Sequence, residues 1–218
     1  MNLAIQIVIL LFSIIIHEVS HGFAAYLFGD RTAKLAGRLS LNPLKHIDPI
    51  GSVILPALLK LSNASFIFGY AKPVPINPDR FSSYKMGMIC VALAGPLSNL
   101  VLAGVFAAMI GMYFDETSNF YIHALTGGLA VNCALFLFNM LPILPLDGGR
   151  IVVALTPAKA AETLSKTEPF GILVVMGICM LTPYLEREFG IPLDFMKRTF
   201  FPALEALYMF FIKLAVPI

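Results

Sequence analysis

From Leu3 to Phe28 the chain is apolar apart from a few polar side chains and carries no Lys, Arg or Asp. An α-helix rises about 1.5 Å per residue, so about 20 residues cross a hydrocarbon core of about 30 Å. The stretch is long enough to cross with some tilt. Yet His17, Glu18 and His21 lie in its second half. A charged side chain at the bilayer centre costs about 2.5–3.5 kcal/mol on insertion scales. Ionisable groups this close together in such a helix therefore require a compensating partner.

Composition supports a membrane setting. Only 13% of the 218 residues are charged and 58% are hydrophobic, whereas a soluble domain carries about 25% charged residues. The net charge of +2, without a basic run interleaved with aromatics, excludes nucleic acid as a partner. Cys90, Cys133 and Cys179 are far apart in apolar runs and receive no role. The opening stretch is not read as a signal peptide. Its first basic residue is Arg31, it is longer than a signal core, and no cleavage site follows.

Further spans are expected at 86–114, 121–141 and 169–185, with the apolar tail 193–218 either spanning or lying in the interface. Segment 50–62 is apolar but short and contains Pro56, which favours a re-entrant or interfacial course. In FIFGYAKPVPINPDR, residues 66–80, Pro73, Pro75 and Pro78 rule out a regular helix and favour extended backbone or a β-hairpin. The expected fold class is an all-α polytopic membrane protein. It has about five to six membrane-embedded helices and a short extended or β-hairpin re-entrant segment near 66–80. Basic loops at 30–49, 72–85 and 150–166 face the cytoplasm by the positive-inside rule, and the acidic loop 115–119 faces the other side. No internal repeat or low-complexity segment is evident.

The sequence IIIHEVSHGF, residues 14–23, contains H-E-x-x-H. Residues four apart on a helix share a face, so His17 and His21 can both reach one Zn²⁺. Glu18 is placed to take a proton from the attacking water rather than to bind metal. The competing reading is structural polar packing. A catalytic zinc usually takes three protein ligands. Of the other histidines, His46 lies in the basic loop and His123 at an outer end. Asp147 is the better third ligand. It sits in NMLPILPLDGGR, residues 139–150, where two prolines interrupt a membrane segment and Gly148 and Gly149 admit close backbone approach. Asp also favours helix N-caps, so that role stands beside the ligand role.

Asn139 and Asn99 lie in apolar surroundings. Either could donate hydrogen bonds to a substrate carbonyl or oxyanion, Asn99 being the weaker candidate. Interhelical hydrogen bonding is the alternative for both. Gly95, Gly104 and Gly111 are read as close-packing positions.

HEVSH in the first span, GYAKPVPINP at 69–78, AGPLSN at 94–99 and FNMLPILPLDGGR at 138–150 together resemble the site-2 protease family of intramembrane zinc metalloproteases. GRLSLNPLKHIDPIGSVILP, 37–56, is similar to its compact prokaryotic members, which lack PDZ and CBS domains. The resemblance covers roughly residues 10–160. It implies one zinc per chain held by His17, His21 and Asp147, Glu18 as general base and acid, and Asn139 at the substrate. It further implies cleavage of transmembrane protein or peptide substrates, often in regulated intramembrane proteolysis. The expected setting is a prokaryotic inner membrane, with the active site towards the cytoplasm. Residues 1–218 are then one integral membrane domain, with a catalytic core of about 1–165 and C-terminal helices at about 166–218. The extended 66–80 segment could receive the substrate by strand addition. Two other readings are a membrane metal transporter, which has no need of a base beside the ligand pair, and an inactive scaffold.

Overall fold

The structure, a computed structural model, describes residues 3–54, 58, 61, 71–113 and 119–216. Every regular element among the described residues is helical. The principal helices are α1 (Leu3–Leu27), α2 (Tyr84–Tyr113), α3 (Asn119–Asn139), α4 (Asp147–Leu155), α5 (Ala158–Ser165), α6 (Glu168–Phe189) and α7 (Phe201–Ala215). Four are long and apolar enough to cross a membrane: α1 from Ile5, α2, α3 from Tyr121, and α6. The expected spans at 3–28, 86–114, 121–141 and 169–185 correspond to these four. Among the described residues, length and composition support four of the expected five to six; α7, at 15 residues, is too short to count. In the 50–62 segment, Pro49–Ile54 form a π-helical turn, and most of the remainder lies outside the described residues.

α2 is the central element and packs against α1, α3, α4 and α7. Its interior Pro96 is buried and sits beside buried Gly95; neighbouring helices make such a helix-breaking residue tolerable in hydrocarbon. The polarity of the bundle is inverted relative to a water-soluble protein. Ser13, His17, His21, Asn99, Asn132 and Asp147 are buried, whereas Val8, Val101 and Leu173 are each more than 60% exposed. Apolar side chains facing outwards around polar ones facing inwards suit a lipid solvent.

The expectation of an extended segment or β-hairpin near 66–80 can be followed only over its second half. Residues 66–70 lie outside the described residues; over 71–77, which have no ladder partner among those described, Asn77 is extended and the prolines at 73 and 75 favour the same course in the residues before them. Side chains and loop backbone hold this segment instead. Lys72 N–H donates to His46 O at 2.8 Å, and Arg38 Nη2 donates to Lys72 O at 2.6 Å. Asn77 N–H donates to Asp30 Oδ2 at 2.7 Å. Asp30 is fully buried just past the end of α1, where Gly29 takes a positive φ of 101° to turn the chain. Burial works to raise the Asp30 pKa. The hydrogen bonds from Asn77 N–H and from the Thr32 hydroxyl and N–H, with the charge of Arg80, outweigh it and hold the carboxyl below its ordinary value. The extended strip is thereby fixed to the foot of α1, the helix that carries the H-E-x-x-H residues.

Candidate metal centre

One turn of α1 separates His17 from His21, and their rings meet edge to face with centroids 4.6 Å apart. Each ring is held from behind. His17 Nδ1 lies 2.7 Å from Asn99 Oδ1, and His21 Nδ1 lies 2.6 Å from Val91 O. Both acceptors are on α2. Backbone carbonyls and amide oxygens only accept, so in the neutral rings each Nδ1 carries the proton and each Nε2 presents a lone pair.

The two lone pairs face each other and a carboxylate. The Nε2 atoms are 3.0 Å apart, and Asp147 Oδ2 lies 3.2 Å from that of His17 and 3.3 Å from that of His21. Asp147 Oδ2 is buried and has no hydrogen-bond partner. Three acceptors in contact with no proton between them repel one another unless a cation lies among them. Tetrahedral zinc with bonds of about 2.0–2.1 Å separates its ligand atoms by about 3.3 Å, close to the spacing found. The residues therefore fit a zinc ion, and they form the one such His/Cys/Asp/Glu group among the described residues.

Local sequence explains how Asp147 arrives there. α3 ends at Asn139, and residues 140–146 fold back over the start of α4. A Cβ on Gly148 would come 2.6 Å from Met140 C, and one on Gly149 would come 2.5 Å from Ile143 C. Only glycine permits this return. The N-cap reading of Asp147 does not hold: Leu146 occupies the cap position and Asp147 is the first helical residue. The helix N-terminus favours its negative charge.

Glu18 lies beside the three ligands, and its Oε2 accepts a 2.9 Å hydrogen bond from Val74 N–H in the extended strip. A cavity of about 490 Å³ opens onto His17, Glu18, His21 and Asp147, with Asn139 and Val74 on its walls. Asn139 Nδ2 donates to Leu135 O at 3.0 Å. Arg150 and Glu168 also line the cavity, paired at 2.9 Å.

Asn99 is brought to the centre but not to the cavity. It is fully buried, its oxygen meets His17, and its Nδ2 donates to Asn132 Oδ1 at 3.0 Å and Ser13 O at 3.4 Å. No group is left over for a peptide. His46 is buried in the loop after α1 against Ser40 O, and His123 is exposed on α3; neither joins the site. Two contributors, Asn132 and Val74, went unread in the sequence, and a third, Gly95, was read only as a close-packing position. A Cβ on Gly95 would stand 2.5 Å from His21 Cε1 and 2.6 Å from His17 Cε1, so this glycine makes room for both rings. Asn132 was legible only as a lone amide in an apolar run. Val74 gave no signal, because its backbone rather than its side chain meets Glu18.

The family model described as peptidase family M50 matches residues 107–182. "Putative zinc metalloprotease YwhC" of Bacillus subtilis is 35% identical over 189 residues, covering 81% of this chain and 80% of that protein. "Putative zinc metalloprotease Rip2" of Mycolicibacterium smegmatis is 33% identical over 183 residues, with 82% and 67% covered. Its Mycobacterium tuberculosis namesake is 31% identical over 187 residues, with the same shares covered. No solved structure matches the chain.

Proposed function

The chain belongs to peptidase family M50, the site-2 protease family, and is a zinc-dependent metallopeptidase; we propose that it cuts transmembrane protein or peptide substrates within the bilayer, in regulated intramembrane proteolysis. The observation that carries this reading is the convergence of two imidazole nitrogens and an otherwise unpartnered carboxylate oxygen among apolar helices. In this reading His17, His21 and Asp147 hold one zinc per chain. Zinc bound there supplies Lewis acidity, which polarises a scissile carbonyl and acidifies water.

The chain's own residues do the rest. Glu18, steadied by Val74 N–H, takes the proton of the attacking water and returns it to the leaving amine. Asn139, on the cavity wall, contacts the substrate backbone. Asn99 acts on His17 instead of on the substrate. The 71–77 strip offers the substrate an extended edge. Lys72 and Val74 have committed their N–H groups inwards, while Pro73 and Pro75 have none. An incoming strand would therefore mainly donate to this edge. We place the protein in a prokaryotic inner membrane as one domain, with a catalytic core of about 1–165 and C-terminal helices at about 166–218. Segments near 50–62 and 201–215 raise the embedded count to five or six. The basic loop after α1 supports a site towards the cytoplasm, where water would reach it.

The test is zinc content and cleavage of a model transmembrane substrate by the purified protein, wild type against Glu18→Gln. The variant should keep its zinc and lose about 10²–10⁴-fold in rate. Cleavage at the wild-type rate would remove Glu18 from the mechanism.

A further inference from the structure

Helix α3 carries Asn132, which is fully buried and does not line the cavity. Its amide contacts nevertheless lead back to the metal centre through groups whose donor and acceptor roles are fixed in turn. Asn132 Nδ2 lies 2.9 Å from Gly128 O, one turn earlier in α3, and 3.0 Å from Ser13 Oγ in α1. A backbone carbonyl can only accept, so this end of the amide is the NH₂. Asn132 Oδ1 therefore faces Asn99 and accepts from its Nδ2 at 3.0 Å. Asn99 is thereby turned so that its own oxygen meets His17 Nδ1 at 2.7 Å. That contact places the His17 proton on Nδ1 and leaves the lone pair on Nε2, the atom 3.2 Å from Asp147 Oδ2.

We propose that Asn132 is a positioning residue that sets the tautomer of His17 through Asn99 and so raises the zinc affinity of the centre. The inference rests on the reading of His17, His21 and Asp147 as the zinc ligands. Ser13, Asn99 and Asn132 are all fully buried, so water does not substitute for a lost link. Without Asn132 Oδ1, only the long 3.4 Å contact of Asn99 Nδ2 to Ser13 O opposes rotation of the Asn99 amide, and the rotated amide offers its NH₂ to His17. The ring then favours the tautomer with its proton on Nε2, where metal must bind. His21 needs no such relay, because its Nδ1 meets the backbone carbonyl of Val91 directly. The asymmetry gives the proposal its signature: loss of Asn132 disturbs one histidine and spares the other.

The experiment uses the full chain in detergent micelles, with ¹⁵N-labelled histidine rings and zinc titrated against a chromophoric chelator. Zinc-free wild type should show His17 protonated at Nδ1, its signals assigned by their absence in His17→Ala. Asn132→Leu should add the other tautomer at His17 alone and weaken zinc binding about tenfold, the lower end of the range for residues behind a metal ligand. Asn132→Asp, neutral in this apolar interior, keeps an acceptor for Asn99 Nδ2 while its hydroxyl donates to Gly128 O, and should restore most of the affinity. Wild-type affinity in folded Asn132→Leu overturns the proposal, as does equal disturbance of His17 and His21. If Asn132→Leu does not fold, the wild-type spectrum decides: a His17 proton on Nε2 overturns the proposal. Unchanged zinc binding in His17→Ala would overturn the zinc centre itself. Weakened binding there with none in Asn132→Leu would overturn only the relay.

Discussion

The interface between α2 and α3 has two ends, equally buried and chemically opposite. Towards α7 it consists of Ala103, Ala107, Ile110, Leu129 and Cys133, all apolar or nearly so, covered by Phe211 of α7. One turn away, Asn99 and Asn132 fill the same interface with hydrogen-bonded amides. Asn132 and Cys133 are neighbours in the chain, and both are 0% exposed. The apolar end shows that close packing alone joins these helices, as is usual where lipid is the competing solvent. The presence of the amides at one end points to the histidine they support.

Two glycines of α2 turn this contrast into an experiment, and the largest effect is expected here. A Cβ on Gly95 would overlap the imidazoles, while one on Gly104 meets Phe211 Cε1 at 3.6 Å, an ordinary contact. The rings cannot yield without breaking their bonds to Asn99 and Val91. Gly95→Ala should weaken zinc binding by about 100-fold or more, the upper range for disturbing a ligand's support. Gly104→Ala should bind zinc as wild type. Equal affinities for the two variants, measured by chelator competition, would dissolve the distinction between the ends.

A second effect, about tenfold in kcat, should come from the extended strip. Val74→Pro removes the N–H that steadies Glu18, whereas Val74→Ala keeps the N–H and trims only the side chain. Loss of one orienting hydrogen bond of about 1–1.5 kcal/mol corresponds to that factor. The proline variant should lose kcat with zinc content intact, and the alanine variant should not. If both variants fall together, packing of Val74 against the Gly22 region of α1 is what matters, and the backbone bond is incidental.

The parts of this architecture legible in the sequence are those carried by side-chain type and periodicity. The four apolar helices follow from run length, and His17, Glu18 and His21 follow from helical spacing. Asp147 was found because a carboxylate amid prolines and glycines in an apolar segment needs a reason. Its arrival at the two rings depends on the backbone return of residues 140–146, which no spacing rule encodes. Asn99 was singled out as polar in apolar company, but sequence could not say whether it faced the cavity or the back of a ring. Asn132 carried the same weak signal. Over 66–80 the prolines announced non-helical backbone but left an extended course and a β-hairpin equally open. Among the described residues, 71–77 is held by Arg38, His46, Asp30 and Glu18, contacts that no local pattern encodes.

The smallest effect tests whether a buried acid outside the membrane helices also needs its partners. Asp30 is as buried as Asn132, but its role is to tie 71–77 to the end of α1. Its folded pKa lies below the ordinary value despite burial, because Asn77, Thr32 and Arg80 favour the carboxylate. A group depressed in the folded state adds stability at pH above its unfolded pKa of about 3.9 and loses it as pH falls through the folded pKa. Wild type should therefore melt a few degrees above Asp30→Asn near neutrality, with the gap narrowing below about pH 4. Other carboxylates titrate over the same range in both proteins, so the difference between the two melting curves isolates Asp30. A gap that stays constant from pH 7 to pH 3 would mean that the Asn77 anchor works equally well without the charge, and only the shape of the side chain would then tie the strip to α1.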